Sequence, residues 1–177
     1  MCGIAGIMYR GGGQSFDTGE ALIQMLDGCQ HRGPDSTGFA LYGAAQPGKL
    51  KLRFFLDNEQ DSEEIVQTIR RRLSELGAVI KEEAQVADNY RVTVAYRDDV
   101  QKLAYEMEHT AKVVSIGSSL EIVKDVGSAH EVDDRYDVHN FRGTHGLGHV
   151  RLATESDVKP EAAHPFWATG FADVAIV

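Results

Sequence analysis

Cysteine is scarce in this sequence: Cys2 and Cys29 are the only two in 177 residues. Two cysteines make a poor disulfide framework, so both read as reduced thiols of an intracellular, cytoplasmic protein. Basic residues are outnumbered, 18 Lys and Arg against 27 Asp and Glu. The resulting net charge of −9 argues against affinity for nucleic acid or anionic membranes, because counterion release needs clustered cations. The one dense basic run, Arg70-Arg71-Arg72, lies inside an amphipathic pattern and reads as a solvated helix face. Long apolar runs are missing too. No stretch approaches the ~20 residues of a transmembrane helix, and no basic segment leads into an apolar one as in a signal peptide. Metal-ligand spacing is also wanting. His139, His145, His149 and His164 cluster late, but Gly146 and Gly148 disfavour a helix through the one pair spaced by four. Neither a metal nor a cofactor is expected.

What is present suits one domain, or one domain with an insert. Residues 3–9, Gly-Ile-Ala-Gly-Ile-Met-Tyr, form a short apolar run closed by Gly11-Gly12-Gly13, as a buried strand would. Asp17 followed by Glu20 resembles a capping box, with a helical stripe of Ala21, Leu22, Met25, Leu26 and Cys29 behind it. Cys29 is then a small core residue. His31-Arg32-Gly33-Pro34-Asp35-Ser36 is a turn, and Thr37–Tyr42 a second strand.

Residues 49–118 change character. An alternating strand from Leu50 to Leu56 precedes a helix opened by Asp61, striped by Ile65, Ile69, Leu73 and Leu76 and stopped at Gly77. Two strands joined at Asp88-Asn89, a helix striped by Val100, Leu103, Ala104 and Met107, and a strand at Val113–Ile116 complete the order β-α-β-β-α-β. That is a split βαβ, ferredoxin-like unit with its own core, read as an insert between residues 1–48 and 119–177. Beyond it come a strand from Leu120, a helix over 128–136, and strands at Gly143–Ala153 and Phe171–Val177.

A cysteine directly after the initiator methionine has a chemical consequence. Removal of Met1 leaves Cys2 with a free α-amino group, whose reference pKa is about 8, so it can act as general base to its own thiol. Gly3 and Gly6 would let backbone approach a substrate closely.

Four ordered motifs carry a resemblance: Met1-Cys2-Gly3-Ile4-Ala5-Gly6-Ile7; Arg32-Gly33-Pro34-Asp35-Ser36-Thr37-Gly38; Gly146-Leu147-Gly148-His149-Val150-Arg151-Leu152-Ala153-Thr154; and His164-Pro165-Phe166. Together they resemble the class-II glutamine amidotransferases. Arg151 to Ser156 and the Gly143-Thr144-His145 lead-in look most like the amidotransferase subunit of N-methylglutamate synthase and related glutamate-synthase-like complexes. The resemblance covers residues 1–43 and about 119–177, leaving the insert aside.

The resemblance implies an Ntn-hydrolase αββα four-layer sandwich carrying the inserted ferredoxin-like (βαββαβ) subdomain. It implies that Cys2 attacks the glutamine carboxamide and releases ammonia, which passes to a synthase subunit in a hetero-oligomeric complex. Arg151 would hold the substrate α-carboxylate through its two-pronged guanidinium, with Thr154 offering a hydroxyl in the same loop. Gly3, Arg32 and His164 would support the site, His149 would hold a loop as His164 does, and Asp35 would accept backbone N–H groups in its turn. For Arg32, a buried guanidinium tying loops through backbone carbonyls is the structural reading. The family pattern continues with an Asn-Gly oxyanion pair that would follow Val177, so residues 1–177 alone are expected to be nearly inactive. Retained Met1 would likewise block the α-amine. Two readings compete: a non-catalytic regulatory or scaffold subunit with the same fold, and an N-terminal-nucleophile amidase or protease, against which Arg151 and Thr154 argue.

Overall fold

The computed structural model describes residues 2–11, 15–56, 62–153 and 158–177. Met1, Asp61 and Thr154 lie outside the described residues. The chain divides into two compact units, one of Met1–Ala44, Ile122–Phe166 and Ala175–Val177, the other of Ala45–Glu121 and Trp167–Val174.

The first unit holds β1 (Gly3–Met8), α1 (Thr18–Asp27) and β2 (Ser36–Tyr42). The second supplies β3 (Lys49–Phe55), α2 (Ser62–Glu75), β4 (Val79–Val86), β5 (Asn89–Ala95), α3 (Val100–Glu108) and β6 (Val113–Gly117). The chain returns through β7 (Leu120–Val126) to α4 (Ala129–Tyr136) and β8 (His145–Arg151), then to a short ribbon of β9 (Phe166–Trp167) and β10 (Ala175–Ile176). Among the described residues no helix is long and apolar enough to cross a membrane.

In the first unit the sheet order is β1-β8-β2-β7, with β1 and β2 both antiparallel to β8. Strand alternation sorts its side chains onto two faces. Gly3, Ala5, Gly146, Gly148, Val150, Phe39 and Leu41 turn toward α1 and α4, whose Leu22, Ile23, Leu26, Ala129 and Val132 complete one apolar core. The helix sits unusually close. A Cβ added at Gly146 would come within 2.8 Å of Leu22 Cδ1, and one at Gly148 within 2.8 Å of Leu26 Cδ1. The Gly-Leu-Gly motif therefore serves packing: its two glycines make room for α1. Burying each leucine or isoleucine of α1 is worth about 1.5–3 kcal/mol.

The buried face of α1 differs from the expected stripe. Leu22, Ile23 and Leu26 are buried, Met25 is exposed, and the helix ends at Asp27, before Cys29. The close approach of Gly19 to the Val138 carbonyl rotates the inward face toward Ile23. Asp17 makes no side-chain cap; its carboxylate pairs with Arg142, while Glu20 accepts from Gln24 at 2.7 Å. The true capping box opens α4, where the Ser128 amide donates to Glu131 at 2.7 Å and the Glu131 amide donates back to Ser128 Oγ.

The second unit has the antiparallel sheet order β4-β5-β3-β6. Val66, Ile69 and Leu73 of α2 and Leu103, Ala104 and Met107 of α3 are buried, and an Arg72–Glu106 ion pair joins the two helices. Arg70 forks onto Glu83 at 2.9 and 2.8 Å, so the basic run ties elements together as well as facing solvent. The β4–β5 turn falls at Ala87-Asp88, one residue earlier than expected. Ala87 takes the left-handed conformation (φ 49°), and Asn89 is fully buried, paired with both Val86 and Phe55.

The expected strand over Phe171–Val177 shrinks to Ala175–Ile176. Asp173, at φ 63°, turns its carboxylate onto the amides of Ser118, Ser119 and Leu120 at 3.0, 2.7 and 2.8 Å and onto both serine hydroxyls. These donors draw its pKa down to about 2 against the opposing effect of burial, and they bring Trp167–Val174 into the second unit.

If Gly148 is the clearance for α1, Gly148→Ala overpacks the Leu26 contact. It should destabilise the protein by about 1–3 kcal/mol, read as a lowered denaturant midpoint at unchanged m-value. A midpoint equal to that of the wild type would contradict the close packing.

Candidate functional site

The face of the first sheet turned away from α1 is organised in rows. Pairing across β1, β8 and β2 aligns Met8 with His145 and Tyr42, Gly6 with Leu147 and Ala40, and Ile4 with His149 and Gly38. One step further, Arg151 pairs with Ser36, and the β1–β8 ladder ends at Gly3 with Val150, the residues that adjoin Cys2 and Arg151. Cys2 is exposed and directly precedes β1. Ile4 and Met8 on this face are 60% and 75% exposed.

The end of β8 is fixed from below by the Arg32–Ser36 turn. Gly33 passes so close that a Cβ there would lie 2.5 Å from the Arg151 amide nitrogen and the Val150 carbonyl. The Asp35 amide donates to the Arg151 carbonyl at 3.1 Å, and the Asp35 carboxylate accepts from the Ala153 amide at 2.7 Å. Asp35 therefore grips the backbone on both sides of Leu152 and sets the direction in which the chain leaves Arg151. Gln30 joins the turn to α4, donating to the Gly33 carbonyl and accepting from the Ala129 amide, each at 2.9 Å.

Gly3 and Arg32 stand otherwise than expected. A Cβ at Gly3 would lie 2.8 Å from both Cys29 Sγ and Val150 Cγ2, on the α1 side. The glycine makes room for core packing. Arg32 is exposed at the end of a single 3-10 turn, Gln30–Arg32, which excludes the buried loop-tying guanidinium.

One row inward from Arg151 lies a partly buried cluster. His149 lies against His164 with the rings tilted by 31° and their centroids 4.8 Å apart, and His164 meets the Phe166 ring edge-on at 4.6 Å. The His164 carbonyl packs on Gly38, where a Cβ would come within 2.1 Å of it. Burial foremost, then the charges of His164 and Arg151, pushes His149 down to about 4. His164 is lowered by burial first and by Lys124 and Arg151 second. Both imidazoles are thus neutral near pH 7. The remaining histidines of the late cluster are engaged separately, His145 stacked on Tyr42 and His139 bonded to Asp133 at 2.9 Å. No group of three metal-ligating side chains occurs among the described residues.

Lys124 was not singled out in the sequence. It is 4% exposed, donates to the Ala163 carbonyl at 2.8 Å and the Glu161 carbonyl at 3.3 Å, and sits 4.3 Å from the centre of the Phe166 ring. The available signal was a lone lysine inside Leu120-Glu-Ile-Val-Lys-Asp-Val. Ser36, also overlooked, is fully buried and stands opposite Arg151.

No family model matches the chain. It is 33% identical over 184 residues to a protein named "Putative glutamine amidotransferase" from Methanothermobacter thermautotrophicus, an alignment covering 100% of this chain and 60% of the relative. It is 37% identical over 175 residues to "Glutamine amidotransferase-like protein GlxB" from Rhizobium meliloti, covering 94% of this chain and 54% of the relative. The chain thus spans little more than half the length of these curated relatives. Their shared name supports an amidotransferase family.

The neutral histidines make stability depend on pH with a definite sign. An unfolded histidine protonates near 6.5, whereas folded His149 resists protonation to about 4. Stability is full above the unfolded value and falls as pH drops from about 6.5 toward 4. The melting temperature should decline over that window, and less steeply in His149→Gln. A His149 imidazole that titrates near 6.5 by NMR in the folded protein would contradict its placement.

Proposed function

We propose that this chain is the glutamine-hydrolysing part of a class-II, Ntn-type glutamine amidotransferase. The observation that supports the reading is the β1–β8 register, whose last pair, Gly3 with Val150, is followed by the exposed Cys2 on one strand and by Arg151 on the other. With Met1 removed, the Cys2 α-amine takes the thiol proton, and Sγ attacks the side-chain carboxamide of glutamine. The C–N bond breaks, the nitrogen leaves as ammonia carrying that proton, and a γ-glutamyl thioester remains. Water then cleaves the thioester, giving glutamate and the free thiol. Arg151 grips the α-carboxylate through two parallel N–H donors, which selects an amino-acid amide over a simple one. Thr154 would serve the same substrate. No step needs a metal or cofactor.

The reading extends to the fold and the partner. A sheet with α1 and α4 on one face and exposed Ile4 and Met8 on the other fits half of an αββα Ntn sandwich, because an apolar sheet face calls for cover. The second unit, with its βαββαβ order, fits an inserted ferredoxin-like subdomain. Released ammonia would pass to a synthase subunit, in the manner of N-methylglutamate synthase and glutamate-synthase-like complexes, within the cytoplasm.

Two substitutions in the processed full-length protein test this. Cys2→Ala should reduce glutamine hydrolysis at least a hundredfold without changing the melting temperature; equal rates would favour a non-catalytic scaffold. Arg151→Lys keeps the charge but not the fork, so KM for glutamine should rise roughly ten- to a hundredfold, matching a charge-assisted bond of ~1.5–3 kcal/mol. Alkylation of Cys2 by iodoacetamide, which has no carboxylate to be held, should be unaffected. Parallel loss of alkylation and thermal stability would instead make Arg151 a loop anchor.

A further inference from the structure

We propose that Lys124 is a positioning residue for glutamine capture, its ammonium clamping the Pro160–Phe166 segment onto the sheet face to wall the site beside Arg151. The inference rests on the glutamine reading of Cys2 and Arg151 and adds a residue that reading does not use.

The geometry is a three-point hold. Lys124 donates to the carbonyls of Ala163 and Glu161 and lies against the Phe166 ring, so one side chain from β7 grips the segment at 161, 163 and 166. Between those grips the His164 carbonyl rests on Gly38 and its ring on His149. Gly38 and His149 belong to the row next to Ser36 and Arg151, two residues or about 6.5–7 Å away along the strands. Displacing the segment would therefore shift His149 relative to Arg151, and a misplacement of about 1 Å at a substrate clamp is costly.

A structural lysine at such a site would be replaceable by a methylene chain of similar size; burying an ammonium is expensive unless its charge is used. The charged and titratable groups that act on it are Glu161 and His164 from the segment, and His164 in turn meets His149 of β8. Burial lowers Lys124 to about 8, with Glu161 opposing the shift. The ammonium, and with it the charge-assisted bonds to the two carbonyls, fades as pH rises through that value.

The test is Lys124→Met in the processed full-length protein, with Lys124→Arg alongside. Lys124→Met should raise KM for glutamine roughly tenfold while kcat changes less than threefold, and Lys124→Arg should recover part of the loss. Wild-type KM should climb between pH 7 and 9, whereas Lys124→Met should start high and climb less. Cleavage by a glutamate-specific endoproteinase after Glu161, inside the clamped segment, should be faster in Lys124→Met. Unchanged KM together with unchanged cleavage overturns the inference, as does equal loss of kcat and melting temperature without a KM effect. If the wild type itself does not hydrolyse glutamine, the functional reading falls and takes the inference with it. A wild type that hydrolyses glutamine, with KM unaltered in Lys124→Met, overturns the inference alone.

Discussion

The pairing of β8 along both its edges is the constraint on which the candidate site depends. In an antiparallel sheet a slip of one residue sends every side chain to the opposite face. Here such a slip would drive Leu147 and His149 under α1, where a single Cβ at Gly146 or Gly148 already meets Leu22 or Leu26 at 2.8 Å. The closeness of α1 thus enforces the register, and the register puts Leu147, His149 and Arg151 on the open face. Packing on one side of the strand and chemistry on the other are a single alternation. The two glycines that look like part of a reactive loop act on the core, and the site inherits their precision.

A strand end is where such precision is normally lost, because the ladder no longer holds the backbone. Asp35 compensates. It bonds the Arg151 carbonyl and the Ala153 amide with its own amide and carboxylate, while Gly33 permits the turn to press against Val150 and Arg151. The Arg-Gly-Pro-Asp-Ser turn therefore continues the hydrogen bonding of β2 past the last ladder pair. Arg32, the motif's most chemically suggestive residue, is exposed at the periphery of this device.

Strands and helices were legible wherever period and breaker agreed, as at Gly3–Met8, Ser36–Tyr42 and in the βαββαβ stretch. The candidate pair of Cys2 and Arg151 was legible through motifs, not through periodicity. What escaped the sequence was set by distant partners. Asp17 looked like a cap, but Arg142 competes for its carboxylate. Met25 fits a helical stripe, yet the approach of Gly19 to Val138 turns it outward. Phe171–Val177 alternates like a strand, but five donors around Asp173 bend it away. Lys124 resembled any strand lysine until its acceptors, 37 and 39 residues downstream, were in view.

Charge placement gives the site a property that the composition conceals. The chain as a whole carries −9, a field that disfavours the approach of anions. Two cations nonetheless stand on this sheet, Arg151 at the end of β8 and the buried Lys124 on β7. Burial keeps His149 and His164 uncharged between them. Were either imidazole protonated, a third cation would stand in the same desolvated cluster, opposing the charges of Arg151 and Lys124 and competing with Arg151 for the same anion. Kept neutral, the rings add no charge beside Arg151, whose planar guanidinium donors match a carboxylate.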